Sequence, residues 1–357
     1  MSAPQLYSGP GQVSYSFQSK NYILQAEGEN GAVKLEYQEK RTRRSSAMFG
    51  YMKSTLDDQT AKISVTPFDS WAILPALYPT YLGINTGGAT TTGGLTIGVR
   101  PHDSAAAASA GAAPVVNGLA ATTIWTPDGR LYTLNRSAIT RHPSLKLGVG
   151  MPLFSGLEIM GLVPAANLIG PASNLLTVLG DEGAAETAQV NNATATSVPS
   201  YGVADYINEH WTGALGSLAG LTALDAEDGW DIAVDAKYSP LTQQKRTFHY
   251  KLDSVEVIAK ARITGLQTAT TAQASHTVIT NQILAHTLGG VLTGTPDALV
   301  LTGQSSGKTI TINDVECFME GSGFEFGGTK LGTGEVAFVT QLDFAMGATK
   351  PVMIFSV

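Results

Sequence analysis

The sequence predicts a mainly β protein, and three observations carry that prediction. Charged residues make up only 14% of the chain, against roughly a quarter in a typical soluble domain. Glycine is abundant, at 39 of 357 residues, and Thr, Val, Ala and Ser fill much of the remainder, a mixture of turn formers and β formers. Short runs with period-2 alternation recur in both halves of the chain. The low charge carries a second expectation. A free monomer usually needs charge for solubility, so a weakly charged surface suggests burial against further copies.

Net charge and cysteine content narrow the function classes. A formal charge of −7 argues against a protein that grips DNA by neutralising phosphates, which takes clustered Lys and Arg. It leaves room for a wall that DNA slides past, because negative surfaces repel phosphate. The single cysteine, Cys317, excludes an intrachain disulfide. The opening Met1-Ser2-Ala3-Pro4-Gln5 lacks the basic and apolar regions of a secretion signal. No run approaches the ~20 apolar residues of a membrane span.

Along the chain, residues 1–20 read as an extended N-terminal arm carrying Tyr7, Tyr15 and Phe17, ordered only against a neighbour. A first β domain is expected over 21–163. It opens with Val33, Leu35 and Tyr37 alternating with Lys34, Glu36 and Gln38. A polar stretch over 39–59 follows, read as a long hairpin loop, before Ile63 and Val65 resume the strand pattern. Trp71, Leu74, Leu77 and Tyr78 recur at helical spacing and predict a short one-faced helix ended by Pro79. Residues 85–120, rich in Gly, Thr and Ala, read as an insertion. Ile124 and Leu131 to Leu134 flank Pro127-Asp128-Gly129-Arg130, a hairpin signal. Strands are expected around Leu145-Lys146-Leu147 and Leu157-Glu158-Ile159. Residues 164–228 read as a linker with helical character near Leu215.

The second half, 229–357, repeats this order. A long hairpin is expected from Asp231 to Ala261 across Ser239 to Arg246, then a helical patch at 280–288, then strands around Leu299, Ile310, Phe324-Glu325-Phe326 and Val336. Leu134-Asn135 matches Ile312-Asn313, Leu145-Lys146-Leu147 matches Phe324-Glu325-Phe326, and Gly156 matches Gly334. The near-constant spacing of these anchors favours an internal duplication: two tandem antiparallel β domains, each with a short flanking helix. Two units per chain would give a pseudo-sixfold ring from three chains.

Motifs that might carry chemistry read as structural. Gly303-Gln304-Ser305-Ser306-Gly307-Lys308-Thr309 imitates a phosphate-binding loop, but it has one residue too few between its glycines. It is followed by alternating Thr309-Ile310-Thr311-Ile312 and not by a helix, so a hairpin loop is the better reading. No histidine has a partner at metal-ligand spacing. Cys317 sits in an apparent strand with nothing to activate it. Asp225, Glu227 and Asp228 lack the alternating ligand pattern of a calcium loop. No catalytic residue, cofactor or metal is expected. The basic run Lys40, Arg41, Arg43 and Arg44 could touch nucleic acid, but it lacks aromatic interleaving and the chain is acidic; a loop contacting an acidic surface on a neighbour is at least as good a reading, with Asp57 and Asp58 as local partners.

The stretch Ala61-Lys62-Ile63-Ser64-Val65-Thr66-Pro67-Phe68 with Trp71, Leu74 and Leu77-Tyr78-Pro79 resembles the major tail tube proteins of long-tailed bacteriophages. So does Thr126-Pro127-Asp128-Gly129-Arg130-Leu131-Tyr132-Thr133-Leu134 followed by Ala138-Ile139-Thr140-Arg141-His142-Pro143, and later Ala226-Glu227-Asp228-Gly229-Trp230. The resemblance implies β-sandwich or barrel-like domains that close into rings, trimeric and pseudo-hexameric or hexameric. The rings would stack into a hollow tube through which DNA passes without specific binding. It also implies assembly in the host bacterial cytoplasm, residence in the virion, and tape measure, tail terminator and tail tip proteins as partners. Arms and long hairpins in this family make ring-to-ring contacts, which assigns that role to Tyr7, Tyr15, Phe17, Lys40, Arg41, Arg43, Arg44, Asp57 and Asp58. Glu158, Glu325 and Glu335, within β runs, are candidates for the acidic lumen. The alternatives are another virion part, such as a terminator or decoration protein, and a carbohydrate-binding adhesive module.

Overall fold

The computed structural model describes residues 12–17, 20–25, 33–67, 71–79, 81–86, 97, 122–125, 130–151, 153–163, 175–179, 209–215, 224–243, 246–263, 297–319, 325–327, 330–340 and 351–356. The protein is mainly β, built almost entirely of antiparallel strands.

The first half begins with β1 (Gln12–Phe17) and β2 (Lys20–Gln25), followed by β3 (Lys34–Ser46) and β4 (Gly50–Val65). A short helical segment comes next, a 3-10 turn (Trp71–Ile73) running into α1 (Leu74–Leu77). Then come β5 (Ile84–Asn85), β6 (Thr122–Trp125), β7 (Leu131–Leu134), β8 (Ser137–Arg141), β9 (Leu145–Leu147), β10 (Leu157–Gly161) and β11 (Leu176–Leu179). These form two sheets, ordered β11-β7-β6-β1-β2 and β3-β4-β10-β8. The Asp-Gly hairpin forms where expected, with Trp125 opposite Leu131. The helix also forms, with a proline in its first turn, where the missing N–H costs nothing.

The second half contains β12 (Trp211–Leu215), β13 (Leu224–Gln243), β14 (Arg246–Ile263), β15 (Asp297–Gly303), β16 (Thr309–Met319), β17 (Glu325–Gly327), β18 (Lys330–Thr340) and β19 (Met353–Ser356). Its pairings close on themselves: β13 with β14, β14 with β18, β18 with β16, β16 with β15, β15 with β12, and β12 back to β13. Closure removes the edges that would otherwise template aggregation.

The same pairing order runs through both halves. The chain β2-β1-β6-β7-β11 is repeated as β13-β12-β15-β16-β19, and β3-β4-β10-β8 as β13-β14-β18-β16. Long strands β13 and β16 each do the work of two strands in the first half, β2 with β3 and β7 with β8. Registers agree as well. Leu176 faces Leu134 as Met353 faces Ile312. The Asn135 N–H donates to Leu175 O as the Asn313 N–H donates to Val352 O. The sequence anchor Leu134-Asn135/Ile312-Asn313 therefore marks equivalent places in the fold.

The two halves share one hydrophobic core and hydrogen-bond to each other. β9 pairs with β13, with Trp230 opposite Leu147 and Ile232 opposite Leu145, and β5 runs parallel to β19. Trp71 at the start of the helical segment meets Phe355 edge-on at 5.5 Å and Trp211 at 6.4 Å, and Tyr78 stacks on Phe355 at 5.9 Å. Each such buried large side chain contributes about 1.5–3 kcal/mol of hydrophobic stabilisation. The helix of the first half thus packs on the second.

Several expectations need correction. The 39–59 stretch is not a loop: β3 and β4 run through it as a two-stranded ribbon turned at residues 47–49. Its residues show no alternation because both faces are wet, so burial does not select a side. The corresponding ribbon of β13 and β14 likewise extends through 239–243. Part of the expected arm is strand β1, inserted between β2 and β6 with Val13 and Tyr15 fully buried. The expected linker contains β11, β12 and the start of β13, and Leu215 is extended, not helical. Most of the 85–120 insertion and the 280–288 patch lie outside the described residues.

Candidate assembly surfaces

Among the described residues no group of three or more His, Cys, Asp or Glu side chains converges in a way that could hold a metal ion. No helix of the described residues is long and apolar enough to cross a membrane. Two of the acidic residues before Trp230 are spent locally. Asp225 meets His210 at 2.7 Å and Glu227 meets Arg262 at 3.3 Å.

The loop that imitates a phosphate-binding motif is occupied by the protein's own carboxylate. The Ser305 and Ser306 N–H groups donate to Glu209 Oε2 at 2.6 and 2.9 Å, and the Ser306 hydroxyl donates to Oε1. Burial pushes the Glu209 carboxyl up, but these donors and nearby Lys308 outweigh it and hold it below its ordinary value. A Cβ on Gly303 would sit 2.3 Å from Glu209 Oε1, so glycine is needed for the carboxylate to enter. The sequence signal was the Gly-Ser-Ser-Gly loop; its partner, 96 residues upstream of Ser305, carried none.

The β3–β4 ribbon projects the basic run. Arg41 donates to Glu39 at 2.8 Å through Nε, and the Thr42 hydroxyl donates to Asp57, which also accepts from Thr55 at 3.3 Å. Lys40 lies opposite Asp58 in register and Arg44 opposite Lys53, while the Arg43 guanidinium lies 5.9 Å from the Tyr51 ring centre. Asp57 and Asp58 are thus within the ribbon beside the basic residues, as the sequence suggested. The tip adds what sequence reading missed: Met48 (83% exposed) and Phe49 (73%) stand in solvent beside Tyr51 (60%). The signal was there, an apolar Met48-Phe49-Gly50-Tyr51 inside a charged stretch.

The remaining candidates separate. Tyr7 lies outside the described residues. Tyr15 is fully buried in β1 and presents nothing to a neighbour, because the segment is a central strand of its sheet. Phe17 ends the same strand, opposite Lys20. Glu158, half-buried on β10, sits between Lys62 and Arg141, each at 3.7 Å. Glu335 lies opposite Arg262 between β18 and β14, and Glu325 opens β17. Glu158 pairs in register with Ser64 of β4, so Glu158 and Glu335 occupy matching strands of the two repeats.

A different polar group stitches the halves together. His142 is buried, with Nδ1 2.7 Å from Leu77 O and Nε2 2.5 Å from the Tyr238 hydroxyl. With Nδ1–H donating to Leu77 and the Tyr238 hydroxyl donating to Nε2, the ring is neutral. Burial lowers its pKa to about 4, against the opposing pull of the Leu77 carbonyl.

Sheet edges are the other open feature. Among the described residues the outer edge of β3 carries no strand, whereas the equivalent stretch of β13 is covered by β9. Compared with models of known protein families and with curated sequences, the chain matches no family and no relative.

Proposed function

We propose that this chain is a self-assembling structural subunit whose copies close into rings and stack into a hollow tube, the tail tube of a long-tailed bacteriophage. One observation carries the reading: the same antiparallel pairing order occurs twice in the chain, and the two copies are already joined edge to edge by β9 and β13. A repeat that binds its successor through a strand edge is a unit of a ring or fibre. The low charge and the apolar ribbon tip favour the same reading, because both leave surface that further copies can cover. The −7 net charge suits a channel along which DNA slides. In this role the protein acts in the virion after folding in the host cytoplasm, with tape measure, terminator and tip proteins as neighbours. It performs no chemistry.

The test is negative-stain microscopy of the purified chain held concentrated for several days. Tubes or stacked rings with a central hole are expected. A persistent monodisperse monomer would overturn the reading in favour of a decoration or adhesive module.

A further inference from the structure

The junction inside the chain is a template for the junction between chains. β9 is folded back on residues 153–155, with the Lys146 N–H donating to Leu153 O at 2.8 Å and the Ser155 N–H to Ser144 O at 2.9 Å. Its other side pairs with β13 of the second repeat. β17 holds the matching place in the second repeat, folded back on the start of β18 with Glu325 opposite Thr333 and Gly327 opposite Lys330. Phe324-Glu325-Phe326 also has the apolar-charged-apolar pattern of Leu145-Lys146-Leu147. Among the described residues, β17 ends its sheet, with no strand on its outer side.

The acceptor edge shows the complementary state. Leu35 and Tyr37 of β3 lie opposite Ile63 and Ala61, and Trp230 and Ile232 of β13 lie opposite Ala261 and Ala259. The next strands in are equivalent too, since β10 pairs with β4 as β18 pairs with β14. With Leu134 matched to Ile312, Ile139 matches Cys317, Ile159 matches Phe338 and Ile63 matches Ala259, so Leu35 is the first-repeat counterpart of Ile232 and Val33 that of Trp230. Where β9 covers the edge, Trp230 is 1% and Ile232 0% exposed; on the uncovered edge Val33 and Leu35 are only half-buried.

We infer that β17 of one copy adds to the β3 edge of a second copy, at Val33–Leu35, in the way β9 adds to β13 within the chain. This rests on the self-assembly reading and specifies its interface. The contact is head-to-tail: each chain offers one donor and one acceptor, so growth continues until a ring closes. Strand addition of this kind draws affinity from main-chain hydrogen bonds and specificity from alternate side chains. On the covered face these would be Val33 and Leu35; on the outer face Lys34 and Glu325 would stand where Asp231 and Lys146 stand inside the chain, the two charges exchanged.

The full-length chain carrying Cys317→Ser, Lys34→Cys and Glu325→Cys is concentrated, treated with a flexible bis-maleimide and run on a denaturing gel. A ladder extending beyond the dimer is expected, and neither single-cysteine chain should exceed a dimer. Assembly seen by microscopy without such a ladder overturns the inference and leaves the tube reading intact; absence of any assembly of the unmodified chain removes both. A second variant, Lys34→Glu, sets a like charge opposite Glu325 of the added strand. It should raise the concentration needed for assembly about tenfold or more, equivalent to ~1.4 kcal/mol, while the diluted monomer melts as the unmodified chain does. Unchanged assembly by Lys34→Glu would likewise overturn the inference.

Discussion

The two repeats solve one packing problem in different ways. In the second, Trp230 fills the space under β12, its ring 5.9 Å from Phe338 and its indole N–H donating to Trp211 O at 3.3 Å. β12 accommodates it with Gly213, where a Cβ would lie 2.6 Å from the indole. In the first, Val13 faces Ile124 as Gly213 faces Leu301, and the smaller Val33 stands where Trp230 stands. Volume has moved from one strand to its neighbour, so the core stays filled while the sequences diverge. The positions differ in a further respect, because the Trp230 edge is covered and the Val33 edge is open. Pairing pattern persists where residue identity does not, since backbone hydrogen bonding depends on register and burial more than on side-chain chemistry.

The largest effect should come from truncating the covered junction. Trp230→Ala removes a fully buried ring and is expected to cost about 3–5 kcal/mol, read by denaturant unfolding. Val33→Ala at the equivalent open position should cost about 1 kcal/mol or less in the monomer, because a half-exposed side chain has less transfer energy to lose. Equal losses at the two positions would contradict the equivalence of covered and open edges.

Acid should loosen the junction at a second point. The unfolded chain protonates His142 near the ordinary imidazole value of 6.5, while the folded chain resists until about pH 4. Below pH 6.5 the unfolded state therefore binds more protons, and stability falls as pH is lowered from 6.5 to 4. The shift corresponds to about 3 kcal/mol, present in full above pH 6.5. His142→Gln should flatten this segment of the stability–pH curve. A curve unchanged by that substitution would show that His142 does not titrate as a buried neutral ring.

Exchanging the residues of the two solutions should sharpen the comparison. Gly213→Val imports the first repeat's side chain under the second repeat's tryptophan, and the overlap is expected to cost about 2 kcal/mol. Adding Trp230→Val, the first repeat's partner, should recover most of that loss. A double variant no better than the sum of the single ones would mean that the two positions do not share one space.

Legibility in the sequence followed burial. The Asp-Gly hairpin, the helix beginning at Trp71 and strands β9, β10 and β15 were visible because one face of each is buried and imposes a period. The ribbons of β3–β4 and β13–β14 were misread beyond their buried stretches, because a strand wet on both faces has no reason to alternate. β1, β11 and β12 were missed for another reason. Their Ser-, Thr- and Gly-rich residues become strands only through partners far along the chain, as Trp211 does opposite Gly303. Of the candidate surfaces, the basic run and its aspartates were legible as charge. The open edge of β3 was not, since an edge is defined by what fails to pair with it.

The smallest predicted effect concerns the candidate lumen carboxylates. Glu158 meets Lys62 and Arg141 at 3.7 Å each, with roughly a third of its side chain in solvent. Ion pairs this exposed contribute about 0.2–1 kcal/mol, so Glu158→Gln should shift unfolding by no more than that. Its loss should fade as salt approaches ~1 M, where the screening length falls to about 3 Å. Glu335 faces Arg262 across the matching strands of the second repeat, and Glu335→Gln should behave alike if the repeats are electrostatically as well as topologically equivalent. A cost at Glu335 several times that at Glu158, and insensitive to salt, would instead place Glu335 in a buried pair and break the symmetry between the two halves.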